Sequence, residues 1–82
     1  MRIPRDLTGQ ELSRQLKRYG YQVTRQTGSH IRLTTTLNGE HHITIPNHNP
    51  LRIGTLNNIL KDVAHYLGIE RDKLLADLFE ND

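Results

Sequence analysis

The residues in this sequence best suited to chemistry are a histidine after a glycine–serine turn and two arginines nearby. His30 directly follows Thr27-Gly28-Ser29, Arg32 lies two positions on, and Arg25 precedes the turn. An imidazole titrates near neutrality and passes a proton in either direction there. Facing a ribonucleotide chain, it can take the proton of a ribose 2′-hydroxyl, whose oxygen then attacks the adjacent phosphorus. The pentacoordinate transition state gains negative charge, which a guanidinium such as Arg32 or Arg25 stabilises. Gly28 and Ser29 can bring backbone N–H groups close to a phosphate without steric hindrance. Each piece also has a plainer reading: a strand histidine facing water, a solvated arginine, an ordinary turn.

The other histidines do not make a metal site on this pattern. His41 and His42 are adjacent and point to opposite faces of a strand. No two of the five histidines have the i, i+4 spacing of a helical zinc pair. Glu40 is the only carboxylate between residues 12 and 61, too few for a two-magnesium nuclease. There is no cysteine, which removes disulfides and thiolate zinc sites. The expectation is chemistry with no metal and no cofactor.

A chain of 82 residues without repeats reads as one domain, 1–82, with a core over about 7–68 and a helical extension over 69–82. Apolar residues make up 34%, with one Phe and no Trp, so the core is thin and aliphatic. Such a core leaves no room for a large enclosed cavity, and a site on it must be an open surface meeting a large partner. No segment has the length of a membrane span, and the start lacks a signal peptide's apolar core, so a soluble cytoplasmic protein is expected. The net charge of +2 is unevenly spread: residues 1–34 carry +5 and residues 62–82 carry −4. A basic front half suits a phosphate backbone.

These residues need elements to position them. Thr8-Gly9-Gln10-Glu11 is a capping-box pattern. It opens a helix over Gly9–Tyr19 with Leu12, Leu16 and Tyr19 on one face, Arg14, Lys17 and Arg18 on the other, and Gly20 as its stop. Tyr21 to Gln26 reads as a short strand. Ile31, Leu33, Thr35 and Leu37 then alternate with His30, Arg32, Thr34 and Thr36, the period of a half-buried strand. Asn38-Gly39 turns the chain into a third strand with Ile43 and Ile45 buried, ended by Pro46. Thr55 is placed to cap a second helix through Leu56, Ile59, Leu60, Val63 and Leu67, closed by Gly68. A last helix, about Arg71 to Phe79, lacks a good N-cap. It either covers the core through Leu74, Leu78 and Phe79 or meets a partner or second copy. The order α-β-β-β-α plus an extra short helix specifies an α+β domain with helices on one face of a three-stranded antiparallel sheet.

Hairpin register decides which side chains share the open face. A two-residue turn at Asn38-Gly39 would set Leu33 opposite Thr44 and expose Ile43 and Ile45. A three-residue loop of Leu37, Asn38 and Gly39, with Gly39 left-handed, sets Leu33 opposite Ile43 and Ile31 opposite Ile45. The bulged turn is therefore expected. It puts His30 and Arg32 on the open face with His42 and Thr44, and His42 about 13 Å along the strand from His30. His48, just past the third strand, should return beside Gly28 and His30.

Taken together, the helix ending Tyr19-Gly20-Tyr21, then Arg25-Gln26-Thr27-Gly28-Ser29-His30, Ile43-Thr44-Ile45-Pro46-Asn47-His48, Gly54-Thr55-Leu56 and Ile59-Leu60 resemble the HicA toxins, or YcfA-like proteins, over about residues 7–68. The resemblance implies a double-stranded-RNA-binding-like fold, ribosome-independent cleavage of messenger RNA, and a HicB-type antitoxin that covers the active site. On it, His30 falls at the family's catalytic histidine and His48 at the second motif histidine. Gly28, Ser29, Arg25, Arg32, His48 and Lys17 are the candidates for RNA binding or transition-state support. A homodimer and a hetero-oligomer with the antitoxin both stay open. Two other readings compete with a toxin endoribonuclease: a non-catalytic RNA-binding module that holds structured RNA by its shape, and a subunit whose open sheet meets only its protein partner.

Overall fold

A computed structural model describes residues 3–80. Met1, Arg2, Asn81 and Asp82, the ends of the expected 1–82 domain, lie outside the described residues. The element order is α1 (Gly9–Leu16), a 3₁₀ turn (Lys17–Tyr19), β1 (Gln22–Gln26), β2 (His30–Thr35), β3 (His41–Pro46), α2 (Ile53–Leu67) and α3 (Arg71–Phe79). The three strands form one antiparallel sheet in the order β1-β2-β3. This is the α+β, double-stranded-RNA-binding-domain-like arrangement.

Both halves of the capping box form. The Glu11 N–H donates to the Thr8 hydroxyl at 3.0 Å, and the Thr8 N–H donates to the Glu11 carboxylate at 2.9 Å. The α-helix then tightens to 3₁₀ for its last turn and stops at Gly20, whose φ of 80° is left-handed. Leu12 and Leu16 are fully buried. Gly39 has φ 81°, as a bulged hairpin turn requires, and the register follows: Ile31 faces Ile45 and Leu33 faces Ile43. Leu37 does not continue the buried row and is 71% exposed.

One local expectation changes. Thr55 does not cap α2. The helix starts three residues earlier, at Ile53, with Arg52 as an N-cap that makes no side-chain bond. The cause lies upstream: Leu51 is buried and its N–H bonds the Leu7 carbonyl at 2.8 Å, which fixes the chain direction before Thr55 is reached. β1 carries a bulge, where Val23 pairs with Leu33 but Arg25, not Thr24, pairs with Arg32.

The core lies between one sheet face and the helices, from Ile31, Leu33, Ile43 and Ile45 to Leu56, Leu60 and Val63. α3 packs against α2 and buries Leu74, Leu75 and Leu78, so of its two expected roles it fills the core-covering one. The Tyr19 hydroxyl donates to the Asp77 carboxylate at 2.7 Å, and the Arg18 guanidinium donates to the Asp77 carbonyl, tying α3 to the 3₁₀ turn. Burial, reinforced by that hydrogen bond, pushes the Tyr19 phenol up to about 12. No helix among the described residues is long and apolar enough to cross a membrane.

Candidate functional site

His30 opens β2 and is exposed. The turn before it is fastened through Thr27. The Thr27 N–H donates to the His30 carbonyl at 2.9 Å, and the Thr27 hydroxyl accepts from the N–H groups of Ser29 (3.3 Å) and His30 (3.1 Å). The Ser29 N–H is therefore already engaged inside the turn. Gly28 N–H makes no hydrogen bond among the described residues. A Cβ at Gly28 would meet nothing within 4 Å, and its φ is not positive, so neither backbone nor packing demands a glycine. The room above the turn stays open.

The His30 Nδ1 lies 3.0 Å from the Ser29 hydroxyl. When that hydroxyl accepts from Nδ1–H, the Nε2 lone pair faces outward. The ring partner is thus Ser29 and not His48. His48 follows the residue that meets the turn: the Asn47 N–H donates to the Ser29 carbonyl at 2.9 Å, and the Asn47 side chain donates to the Gly28 carbonyl at 3.4 Å. The His48 carbonyl accepts from the Gly9 N–H at 3.0 Å, and its side chain is exposed. Asn47 also accepts from the Gln10 amide at 3.4 Å, so it joins the histidine turn to the start of α1. Its role escapes sequence reasoning because an Asn after Pro46 reads as loop. The only signal was its position at the end of a strand paired with His30.

The β1 bulge carries Arg25 to the open face. In an unbroken antiparallel register Thr24 would face Arg32, and Arg25 would point toward the core side beside Ile31. With the bulge, Arg25 and Arg32 are directly opposed, both exposed, and no carboxylate pairs with either among the described residues. Beyond them, Thr24 and Thr34 hydroxyls lie 3.0 Å apart, Thr34 lies 2.7 Å from His42 Nδ1, and His42 Nε2 meets Glu40 at 2.5 Å. This hydrogen-bonded row spans all three strands.

Lys17 is not brought to His30. It lines a separate depression of about 450 Å³ with Gly20, Tyr21, Gln22 and Val23. Gln22 pairs with Thr34, four residues along β2 from His30, which fixes the separation. His41 faces the core side, stacked on Tyr66 with centroids 4.5 Å apart and bonded to the Tyr21 hydroxyl at 2.8 Å and to Asp62 at 3.3 Å. Burial, helped by Tyr66 and Asp62, raises the Tyr21 phenol above its ordinary range. Among the described residues no three His, Asp or Glu side chains gather as a metal site requires.

The arrangement therefore offers a solvent-facing imidazole, an open turn and, among the described residues, an unpaired couple of guanidiniums on one open sheet face. Comparison with known proteins gives a match to one family model, described as the HicA toxin of bacterial toxin–antitoxin pairs, over residues 9–64. No curated protein and no solved structure matches the chain. The matched stretch begins at the first residue of α1, takes in the His30 turn, both arginines and the Asn47-His48 loop, and ends within α2. On that match across most of its length, the chain belongs to the HicA toxin family, the toxins of bacterial toxin–antitoxin pairs.

Proposed function

We propose that the chain is a toxin endoribonuclease, cleaving messenger RNA by proton transfer at His30 without a metal. The observation that carries this reading is the setting of His30: an exposed imidazole bonded to Ser29 on one nitrogen, beside a glycine with open space above it. In the proposed step Nε2 takes the proton of a ribose 2′-hydroxyl. The 2′-oxygen–phosphorus bond forms, the phosphorus–5′-oxygen bond breaks, and the leaving oxygen takes a proton from water, whose hydroxide then takes back the proton held on the imidazolium. The products are a 2′,3′-cyclic phosphate and a 5′-hydroxyl end. Gly28 N–H and the positive charge of Arg25 and Arg32 favour the anion, while Ser29 orients the ring. His48 and Lys17 supply contacts to the flanking chain. A HicB-type antitoxin would inhibit the toxin by covering this open face.

The test is inducible expression of the wild type and of His30→Ala in a bacterial host, following growth and total messenger RNA. Growth arrest with RNA loss for the wild type, and neither for His30→Ala at equal protein level, supports the reading. Equal arrest by both variants would remove His30 from the chemistry and leave a non-catalytic RNA-binding module as the better account.

A further inference from the structure

We propose that the open sheet face carries a second reactive centre, in which Thr34 is an acyl acceptor activated by His42 and Glu40. The Arg25–Arg32 pair holds the phosphate of its donor, an acyl phosphate. The proposal goes beyond the ribonuclease reading and does not rest on it, because Thr34, His42 and Glu40 take no part in that reading. The centre lies four strand residues from His30, about 13 Å along β2.

Its starting point is a chain of hydrogen bonds with only one consistent direction. The Glu40 carboxylate accepts and has no proton to give, so at 2.5 Å it takes the His42 Nε2–H. A neutral ring then keeps its lone pair on Nδ1, 2.7 Å from the Thr34 hydroxyl, which must donate to it. The Thr34 oxygen is left to accept from the Thr24 hydroxyl, 3.0 Å away on β1. A hydroxyl in hydrogen-bond reach of a base, with that base oriented by a third group, is the arrangement of an activated nucleophile.

β3 carries the order hydroxyl, imidazole, carboxylate twice, and only one copy is reachable. His41 links the Tyr21 hydroxyl to Asp62 on the core side, where Tyr21 is fully buried. The side chain of His41 is 19% exposed and that of His42 39%. Thr34 is half-buried between His42 and Thr24, both of them exposed.

The neighbours select the donor. Arg32 lies two residues from Thr34, about 7 Å along β2, a gap that the length of an arginine side chain spans, and Arg25 is opposed to it. Like charges directly opposed on neighbouring strands are destabilising, and among the described residues no carboxylate pairs with either. A phosphate between the guanidiniums relieves the repulsion. Held there, it presents to Thr34 the carbon bonded to its oxygen, with the phosphorus kept at the arginines. In an acyl phosphate that carbon is a carbonyl. In the proposed step the bond from the Thr34 oxygen to the carbonyl carbon forms while His42 Nδ1 takes the hydroxyl proton. The bond from that carbon to the phosphate oxygen breaks, and phosphate leaves with the proton from His42. The products are O-acyl-Thr34 and inorganic phosphate.

The experiment treats the purified protein with acetyl phosphate and follows acetylation residue by residue with peptide mass spectrometry. Thr44 is the internal control: it is exposed, lies opposite Arg32 and, among the described residues, has no bond to an imidazole. The expected result is an acetyl ester on Thr34 that forms about 10²-fold faster than on Thr44, within the range of general-base assistance. His42→Gln should bring Thr34 down to the Thr44 rate. Arg25→Gln/Arg32→Gln should slow Thr34 about tenfold, the worth of one charge-assisted hydrogen bond. Acetyl amides on Lys17, Lys61 and Lys73, which hydroxylamine does not remove, report equal exposure to the reagent in every variant. The wild-type ratio needs no variant, so it decides the question even where a substitution unfolds the sheet. Equal labelling of Thr34 and Thr44, or an unchanged Thr34 rate in His42→Gln, would overturn the centre and leave the row a cross-strand tie. A phosphoryl group on Thr34 in place of acetyl would overturn the acyl chemistry.

Discussion

Gly9→Ala is a one-methyl test of how the histidine turn is braced. A Cβ at Gly9 would sit 2.3 Å from the Pro46 carbonyl oxygen and 3.3 Å from the Asn47 Cα, both backbone atoms that cannot rotate away. Restoring ordinary contact requires α1 and the β3–α2 loop to separate by about 1 Å. The Gly9 N–H to His48 carbonyl bond, now 3.0 Å, would stretch out of range. Overpacking of this kind costs about 1–3 kcal/mol and the bond about 1 kcal/mol. A glycine-to-alanine gain in helix propensity offsets at most about 1 kcal/mol. The net is a destabilisation of about 1–3 kcal/mol, a drop in Tm of about 5–20 °C for a domain this small. Gly54→Ala is the control, because Gly54 also lies in a first helical turn, its φ is not positive, and its Cβ would meet nothing within 4 Å. It should leave stability unchanged or raise it by up to about 1 kcal/mol. Urea unfolding of the two variants compares them directly. Gly9→Ala proving as stable as Gly54→Ala would refute the close approach.

Asn47→Ala removes the side-chain bonds to Gly28 and Gln10 but keeps the backbone bond to Ser29. It should lower RNA cleavage roughly tenfold by loosening the turn, with a Tm shift of only a few degrees. The Glu11 carboxyl is held below its usual range by the Thr8 backbone N–H and then by the Thr8 hydroxyl. A carboxyl depressed in the folded state stabilises above its unfolded pKa and loses that contribution as pH falls through the folded value. Glu11→Gln, which keeps a capping side chain but does not titrate, should therefore show a flatter acid limb in Tm against pH. The Tyr19 phenol, pushed up to about 12 by burial and by Asp77, has the opposite sign. Its contribution is full below about pH 10 and is lost as pH rises toward its folded value. Tyr19→Phe should be less stable near neutrality yet lose less of its stability in alkali, with Tyr21 retaining its own share of the alkaline loss.

Much of this was readable where local chemistry and burial agree. Thr8 and Glu11 can do little else at that spacing than form a capping box. Ile43 and Ile45 admit only one register against Leu33, and that register requires Gly39 to turn left-handed. The placement of His30 and Arg32 on one face follows from the same constraint. What stayed hidden depends on tertiary pairing. β1 is polar and exposed from Gln22 to Gln26 except for Val23, itself 43% exposed, so no period marks the bulge that brings Arg25 across. The start of α2 is set by the Leu51–Leu7 contact and not by a capping side chain, so Thr55 misleads. Asn47 bonds the turn because β3 ends beside Gly28 and Ser29, a meeting of residues distant in sequence.

The most direct test of the central claim is cleavage of a defined single-stranded RNA by purified protein in the presence of a chelator, wild type against His30→Ala. The account predicts cleavage by the wild type leaving 2′,3′-cyclic phosphate ends, and a loss of about 10²-fold or more in His30→Ala, the range general acid–base catalysis supplies. Because His30 is exposed, the variant should fold as the wild type does. Wild-type activity that vanishes with the chelator, or that survives intact in His30→Ala, would contradict it.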